Sequence, residues 1–252
     1  MSFTWVTRKP VESIVQYGTS LHSLTSSQTG TIKTYTPGYW HGWIHNVAIK
    51  NLAPGTTYYY RVGGASGWSN IFTFRTEDVG SNARTIRVAN IGDMGLNNSA
   101  GNIAALKDLV SKNQLDFLIH NGDISYADGF QQRWDMYFRE VEDIVANLPY
   151  MVTLGNHEIS VFPLLNLTVG YPYRFALPGA GSGSLDYSNL FYSYNYGLVH
   201  FISLDTESIY DIAEMTKKQV AWVIQDLANL DRSKYPWVVV YGHRPFYCAD
   251  TG

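Results

Sequence analysis

The chain is 252 residues long, enough for one large domain or two ordinary ones. Hydrophobic residues make up 45% of it and charged residues 15%, a balance that supplies a buried core and excludes a disordered chain. A formal net charge of −3 without a basic block argues against a nucleic-acid-binding surface, and no apolar run reaches the ~18 residues of a membrane-spanning helix.

Aromatics are 15% of the chain, led by 19 Tyr, and there are 22 Gly, a mixture that favours strands and tight turns. Met1–Lys9 is too short and too polar to act as a signal peptide. The single cysteine, Cys248, allows no internal disulfide. Sequons at Asn97 and Asn166 support secretion and glycosylation only weakly, because such triplets arise often by chance.

Residues 1–77 read as all-β. Trp5-Val6, Ile14–Tyr17, Trp43–Ile49, Tyr58–Val62 and Ile71–Phe74 are short runs rich in aromatic and β-branched residues. Clusters of Gly, Pro, Ser and Thr separate them, and no helical period appears. Leu52-Ala53-Pro54-Gly55-Thr56-Thr57-Tyr58 resembles the tyrosine corner of fibronectin type III domains, in which the Tyr hydroxyl bonds back to the backbone just upstream.

Thr76–Ala83 is polar and reads as a linker. A second domain is expected over 84–252, where the pattern changes. Ile86–Ile91, Phe117–His120, Tyr150–Leu154, Val199–Leu204 and Trp237–Tyr241 are continuous apolar runs, as expected of strands covered on both faces. Three stripes at helical spacing lie between them: Ile103, Leu106, Val110; Trp134, Phe138, Val141, Val145; and Val220, Val223, Leu227, Leu230. Strands alternating with helices predict an α/β layered domain, with the stripes as core faces.

Four of those five strands run into a polar turn: Gly92-Asp93-Met94-Gly95, Asn121-Gly122-Asp123-Ile124-Ser125-Tyr126, Gly155-Asn156-His157-Glu158 and Gly242-His243-Arg244-Pro245. Sites in open α/β sheets form beyond the carboxyl ends of strands, and a glycine beside the ligand lets the backbone approach an ion closely. One Asp after a strand is commonly just a helix cap. Four such turns together carry oxygen donors Asp93, Asp123, Tyr126 and Asn156 with the imidazole of His243, a set that suits hard or borderline cations. His120 and His200 lie inside apolar strands and are expected to be satisfied core histidines. His22, His41 and His45 read as ordinary residues of the β domain, and Asp128 has no motif role.

Asp93-x-Gly95, Gly122-Asp123-x-x-Tyr126, Gly155-Asn156-His157-Glu158 and Val240-x-x-His243 resemble the first four of the five motifs of purple acid phosphatases, a branch of the calcineurin-like metallophosphoesterases. Tyr171–Phe175, Tyr192–Gly197 and Phe201–Glu207 resemble further blocks of that family. The resemblance implies a fibronectin-III-like sandwich followed by an αββα-type metallophosphoesterase domain. It implies that Asp123 bridges two metals, that Asp93 and Tyr126 bind Fe(III), and that Asn156 and His243 bind a second divalent metal (Zn, Fe or Mn). A phenolate is a hard donor, and its charge transfer with iron gives the family its colour. Many relatives in the superfamily carry His where this chain has Gly95, and Tyr126 would replace the lost ligand. The implied reaction is hydrolysis of small phosphate monoesters by attack of a metal-bound hydroxide, at two cations about 3.5–4 Å apart. His157 would contact the phosphate or protonate the leaving alkoxide. A secreted, lysosomal or vacuolar location is likewise implied, and an oligomer is left open.

The family's fifth motif, Gly-His-x-His, supplies one imidazole to each metal and does not occur in the 252 residues. The chain is therefore expected to be a partial enzyme, short of a first strand at the front and of closing strands at the back, binding metals weakly and turning over slowly. Two other readings stay open: a phosphodiesterase or nucleotide pyrophosphatase on the same scaffold, and a non-catalytic binding module carrying a relic phosphatase domain.

Overall fold

A computed structural model of the chain describes residues 1–78, 85–159, 170–178, 190–207 and 213–247, with backbone alone at 213–215. The first 75 residues hold eight strands: β1 (Ser2–Thr7), β2 (Ile14–Gly18), β3 (Ser26–Thr29), β4 (Thr31–Lys33), β5 (Trp43–Ala48), β6 (Thr57–Gly64), β7 (Gly67–Trp68) and β8 (Phe72–Arg75). One sheet has the order β1-β5-β4 and the other β3-β2-β6-β7, with β8 also on β6. All pairings are antiparallel. Alternating side chains Phe3, Val15, Val47, Tyr58, Tyr60 and Phe74 close the core between them. The Ala53 N–H donates to the Tyr58 hydroxyl at 3.0 Å, the contact expected of a tyrosine corner. Strand β3 is exposed along its whole length, so its Ser-Ser-Gln-Thr sequence has no apolar face to announce it.

The linker Thr76–Ala83 and the residues Asn166 and Cys248 lie wholly or largely outside the described residues. Beyond the linker come β9 (Val88–Ile91), α1 (Ala100–Ser111), β10 (Phe117–Asn121), α2 (Gln132–Val145), β11 (Tyr150–Thr153), α3 (Gly170–Arg174), β12 (Tyr192–Tyr196), β13 (Val199–Ser203), α4 (Ala213–Asn229) and β14 (Trp237–Tyr241). Strands β9, β10 and β11 form a parallel sheet with β10 central. Strands β12, β13 and β14 form a second, mixed sheet. Residues of β10 alternate between the two layers. Phe117 and Ile119 pack on Phe201 and Tyr241 of the second sheet. Leu118 faces Ile103, Leu106, Trp134, Val141 and Ile144 on α1 and α2. Each such fully buried side chain contributes ~1.5–3 kcal/mol, which is why both faces of this strand are apolar.

Two expectations need correction. The α4 stripe is not a core face throughout: Val220 is 53% and Leu227 41% exposed. Trp222, its ring 5.1 Å from that of Phe191, and a set of polar contacts anchor this helix. Gln219 bonds the Asp205 backbone on both sides, and Asp226 accepts from Ser193 and pairs with His200. Nor is β14 covered on both faces, since Trp237, Val239 and Val240 are exposed. As an outer strand of its sheet it has apolar side chains that the described residues leave open to solvent.

His120 is fully buried, with Nδ1 2.5 Å from the Tyr150 hydroxyl and 3.3 Å from that of Tyr137. Burial, helped by His243, pushes its pKa down to about 3. The folded state thus favours the neutral ring, so this contribution is present above pH ~6.5 and lost as pH falls toward ~3. Between pH 6.5 and 4.5 urea unfolding should show a loss of up to ~2.7 kcal/mol from this group. The variant His120→Gln should flatten the slope, and an unchanged slope would contradict the assignment.

Candidate metal centre

The parallel register of β9, β10 and β11 brings their carboxyl ends to one side. The turns that follow them carry Asp93, Asp123 and Asn156, while β14 delivers His243 from the second sheet. Backbone bonds lace the first two turns together: Asp93 N–H to the Gly122 carbonyl at 3.2 Å, and Gly95 N–H to the Ile124 carbonyl at 3.1 Å. A Cβ on Gly122 would lie 2.6 Å from Gly155 Cα and 2.7 Å from His243 Cγ, and one on Gly155 would lie 2.3 Å from Asp123 N. Only glycine lets the three turns meet this closely. Gly95, at φ +55°, serves Tyr126 in the same way: a Cβ there would stand 2.6 Å from its ring. The absence of a side chain at 95 and the presence of the phenol at 126 are one steric fact.

Several residues here hold left-handed backbone: Asp93 (φ 54°), Asp123 (φ 50°), Tyr126 (φ 51°) and Asp128 (φ 46°). Such non-glycine conformations cost ~1–3 kcal/mol each and survive only where the surroundings fix them. Glu158 is one such fixture. It is buried, and its carboxylate accepts from the N–H groups of Asp123 (2.8 Å), Ile124 (2.9 Å) and Gly155 (3.0 Å). Burial pushes its pKa up to about 7, with the Asp123 charge adding to this and the three N–H bonds opposing it.

The donor atoms converge. One ligand atom each from Asp93, Asp123 and His243 lies within 4.8 Å of the others. His243 Nδ1 is 2.7 Å from the Asn121 carbonyl, which can only accept, so in the neutral ring Nδ1 carries the hydrogen. Its Nε2 then presents a lone pair to Asn156 Oδ1 at 3.2 Å and Asp123 Oδ1 at 3.6 Å. The Tyr126 hydroxyl donates to Asp93 Oδ1 at 3.3 Å. Burial and the carboxylates of Asp123 and Asp93 raise its pKa. Among the described residues no Lys or Arg pairs with Asp93 or Asp123, and only imidazoles come within ion-pair reach of Asp123. Carboxylate and imidazole acceptors that face one another with no Lys or Arg between them fit cations, and the atom types suit hard to borderline ones.

His157 adjoins this group. Its backbone N–H donates to Asp123 Oδ1 at 2.9 Å, its ring lies 4.4 Å from the Tyr126 ring, and Nε2 is 3.8 Å from Asp123 Oδ2. Nδ1 pairs with Asp128 at 2.5 Å. Burial alone would lower the imidazole pKa. The Asp128 hydrogen bond and the neighbouring carboxylates outweigh it, and the net shift is upward. All six residues singled out from the sequence therefore meet at one end of the sheets. Two that were not given roles, Glu158 and Asp128, meet there too. Glu158 stood inside a recognised motif and Asp128 five positions after Asp123. Only the fold shows what their carboxylates touch.

Comparisons with known proteins identify the family. A model of the purple acid phosphatase N-terminal domain matches residues 1–76, and one of the calcineurin-like phosphoesterases matches residues 86–252. The chain is 35% identical over 276 residues to purple acid phosphatase 15 of Arabidopsis thaliana, covering 96% of this chain and 50% of that protein. It is 34% identical over 265 residues to acid phosphatase type 7 of Homo sapiens, covering 100% of this chain and 57% of that one. The chain thus spans about half the length of the curated relatives it matches. In fold it is similar to the solved purple acid phosphatase PPD1 from yellow lupin (Lupinus luteus) seeds, with a TM-score of 0.78, 23% identity, 96% of this chain and 48% of that chain. The chain belongs to the calcineurin-like phosphoesterases and, within them, to the purple acid phosphatases.

Proposed function

We propose that the protein is a metal-dependent phosphomonoesterase whose centre takes Fe(III) at Asp93 and Tyr126 and a second divalent ion, Zn, Fe or Mn, at Asn156 and His243, with Asp123 shared between them. The observation that carries this reading is the convergence of acceptor atoms from Asp93, Asp123, Asn156 and His243 with no Lys or Arg among the described residues to neutralise them. Bound there, the two cations would supply polarisation of the phosphoryl oxygens and an activated water for in-line attack. The chain's own residues do the rest. Asp123 can offer one oxygen to each ion, since its backbone is fixed by Glu158 and its Oδ1 by His157 N–H. The Asn121 carbonyl keeps Nε2 of His243 free for coordination. Asp128 orients the His157 ring and favours its protonated form, which suits donation to a phosphate oxygen or to the departing alkoxide.

Two domains, 1–77 and 84–252, and a secretory, lysosomal or vacuolar location belong to the same reading. Asn97, exposed on the turn after β9, is an available glycosylation position. Among the described residues no helix is long and apolar enough to cross a membrane.

The test compares p-nitrophenyl phosphate with its bis-ester, using the complete gene product loaded with iron and zinc. The monoester should be hydrolysed with kcat/KM at least about tenfold higher, a transition-state difference of ~1.4 kcal/mol. Preference for the diester, or equal turnover after chelation, would refute the assignment.

A further inference from the structure

The turn that carries Tyr126 is left-handed at Tyr126 (φ 51°), Asp128 (φ 46°) and Gly129 (φ 90°). Backbone of this kind stays in place only where its neighbours fix it. On the Asp123 side the fixture is Glu158. On the other side it is the N-terminal domain. There the short turn Pro37–Tyr39 contains Gly38 at φ +68°, and a Cβ on Gly38 would lie 2.6 Å from the Gly129 carbonyl oxygen and 2.6 Å from Gln131 Cγ.

Polar contacts surround this approach. The Tyr35 hydroxyl donates to Gln131 Oε1 at 3.1 Å, and Gln132 Nε2 donates to the Tyr39 carbonyl at 3.2 Å. Trp40 Nε1 donates to Asp135 Oδ2 at 2.8 Å. Arg174 lies buried between the two domains. Its guanidinium is 4.7 Å from the Trp40 ring centroid and 2.9 Å from Asp135 Oδ1, and its Nε donates to the Tyr35 hydroxyl at 3.2 Å. These contacts land on residues 129–135, directly after the turn that holds Tyr126 and Asp128.

We propose that the Gly38 turn of the N-terminal domain works as part of the phosphatase site, bracing the 126–129 segment so that the Tyr126 hydroxyl stays on Asp93 and the Asp128 carboxylate stays on His157. Gly38 and Tyr35 are then positioning residues, which touch neither substrate nor metal and act through Tyr126 and Asp128. The inference rests on the phosphatase reading above. It differs from a plain interdomain adhesive in one respect: loss of the brace must be felt through the Asp128–His157 pair, whereas loss of adhesion would be felt only in stability.

A double-mutant cycle in the complete, iron-loaded gene product separates the two. Gly38→Val should lower kcat for p-nitrophenyl phosphate by roughly tenfold, leave KM within about twofold, and shift the visible tyrosinate–iron band. Tyr35→Phe, which removes one hydroxyl, should lower kcat roughly threefold. In an Asp128→Asn background each loss should be clearly less than multiplicative, because the route through that carboxylate is already broken while the one through Tyr126 remains. In metal-free protein, amide exchange at 126–130 should quicken in both variants while exchange in β10 stays as in the parent. Losses that multiply fully with Asp128→Asn, or an unchanged kcat, band and exchange in variants that melt like the parent, would overturn the proposal. Should Gly38→Val fail to fold, Tyr35→Phe decides by the same criteria. A parent protein without metal-dependent hydrolysis would sink the phosphatase reading before any variant is made.

Discussion

Asp123→Asn in the complete gene product is expected to lower kcat/KM by about a thousandfold, the loss of several kcal/mol of metal-derived transition-state stabilisation. The substitution keeps the shape of the side chain and an oxygen for the His157 N–H, now 2.9 Å away. It removes the charge that both ions would share. Asp123 is 3% exposed, and a buried carboxylate without a cation beside it costs free energy that the amide does not. The metal-free variant should therefore melt no lower than the metal-free parent, while metal content falls from two ions per chain toward one or none. Activity within tenfold of the parent, with full metal content, would remove Asp123 from the bridging role.

Glu158→Ala should have the largest effect on stability. Three N–H groups, on Asp123, Ile124 and Gly155, lose their acceptor in a place that water does not reach. Each unsatisfied buried donor costs ~1–3 kcal/mol. Allowing for partial relaxation, urea unfolding of the metal-free protein should show a loss of ~3–5 kcal/mol. Glu158→Gln, which retains one carbonyl oxygen, should fall between. A change below ~1 kcal/mol for the alanine variant would mean that the two turns are held by something other than this carboxylate.

The difference between these two residues shows what a sequence can and cannot disclose. Asp123 is legible because its local pattern is complete: an apolar strand, a glycine, then a carboxylate with a tyrosine three positions on. The same holds for Asp93, Asn156 and His243, each placed by a strand end. Strands β10 and β13 were legible too, since strands buried between layers must be apolar on both faces. The work of Glu158 is not local. It bonds backbone 34 and 35 positions away, and no period or motif encodes that distance. Asp128 pairs with His157 across 29 positions, and Trp40 with Asp135 across 95. For α4 the apolar spacing was real but its reading as a core face was wrong for Val220 and Leu227. Periodicity shows that a helix has an apolar side; it does not show which described residues cover it. Strand β3 failed in the opposite sense, because an exposed edge needs no apolar alternation.

The arrangement also ties Gly95 to Tyr126. The Tyr126 ring occupies the space that a side chain at 95 would need. A side chain at 95 and the ring at 126 therefore exclude each other in this backbone, and the ring carries its hydroxyl to 3.3 Å from Asp93 Oδ1.

The most direct test is the visible spectrum of the iron-loaded complete gene product beside its Tyr126→Phe variant. The ring, its packing on His157 and its fit above Gly95 survive that change, and only the oxygen is lost. A broad visible band in the parent that disappears in the variant, with the variant still folded, is the result expected of a tyrosinate–iron centre. A band that persists unchanged without the Tyr126 oxygen, or a loaded parent with no visible band, would contradict it.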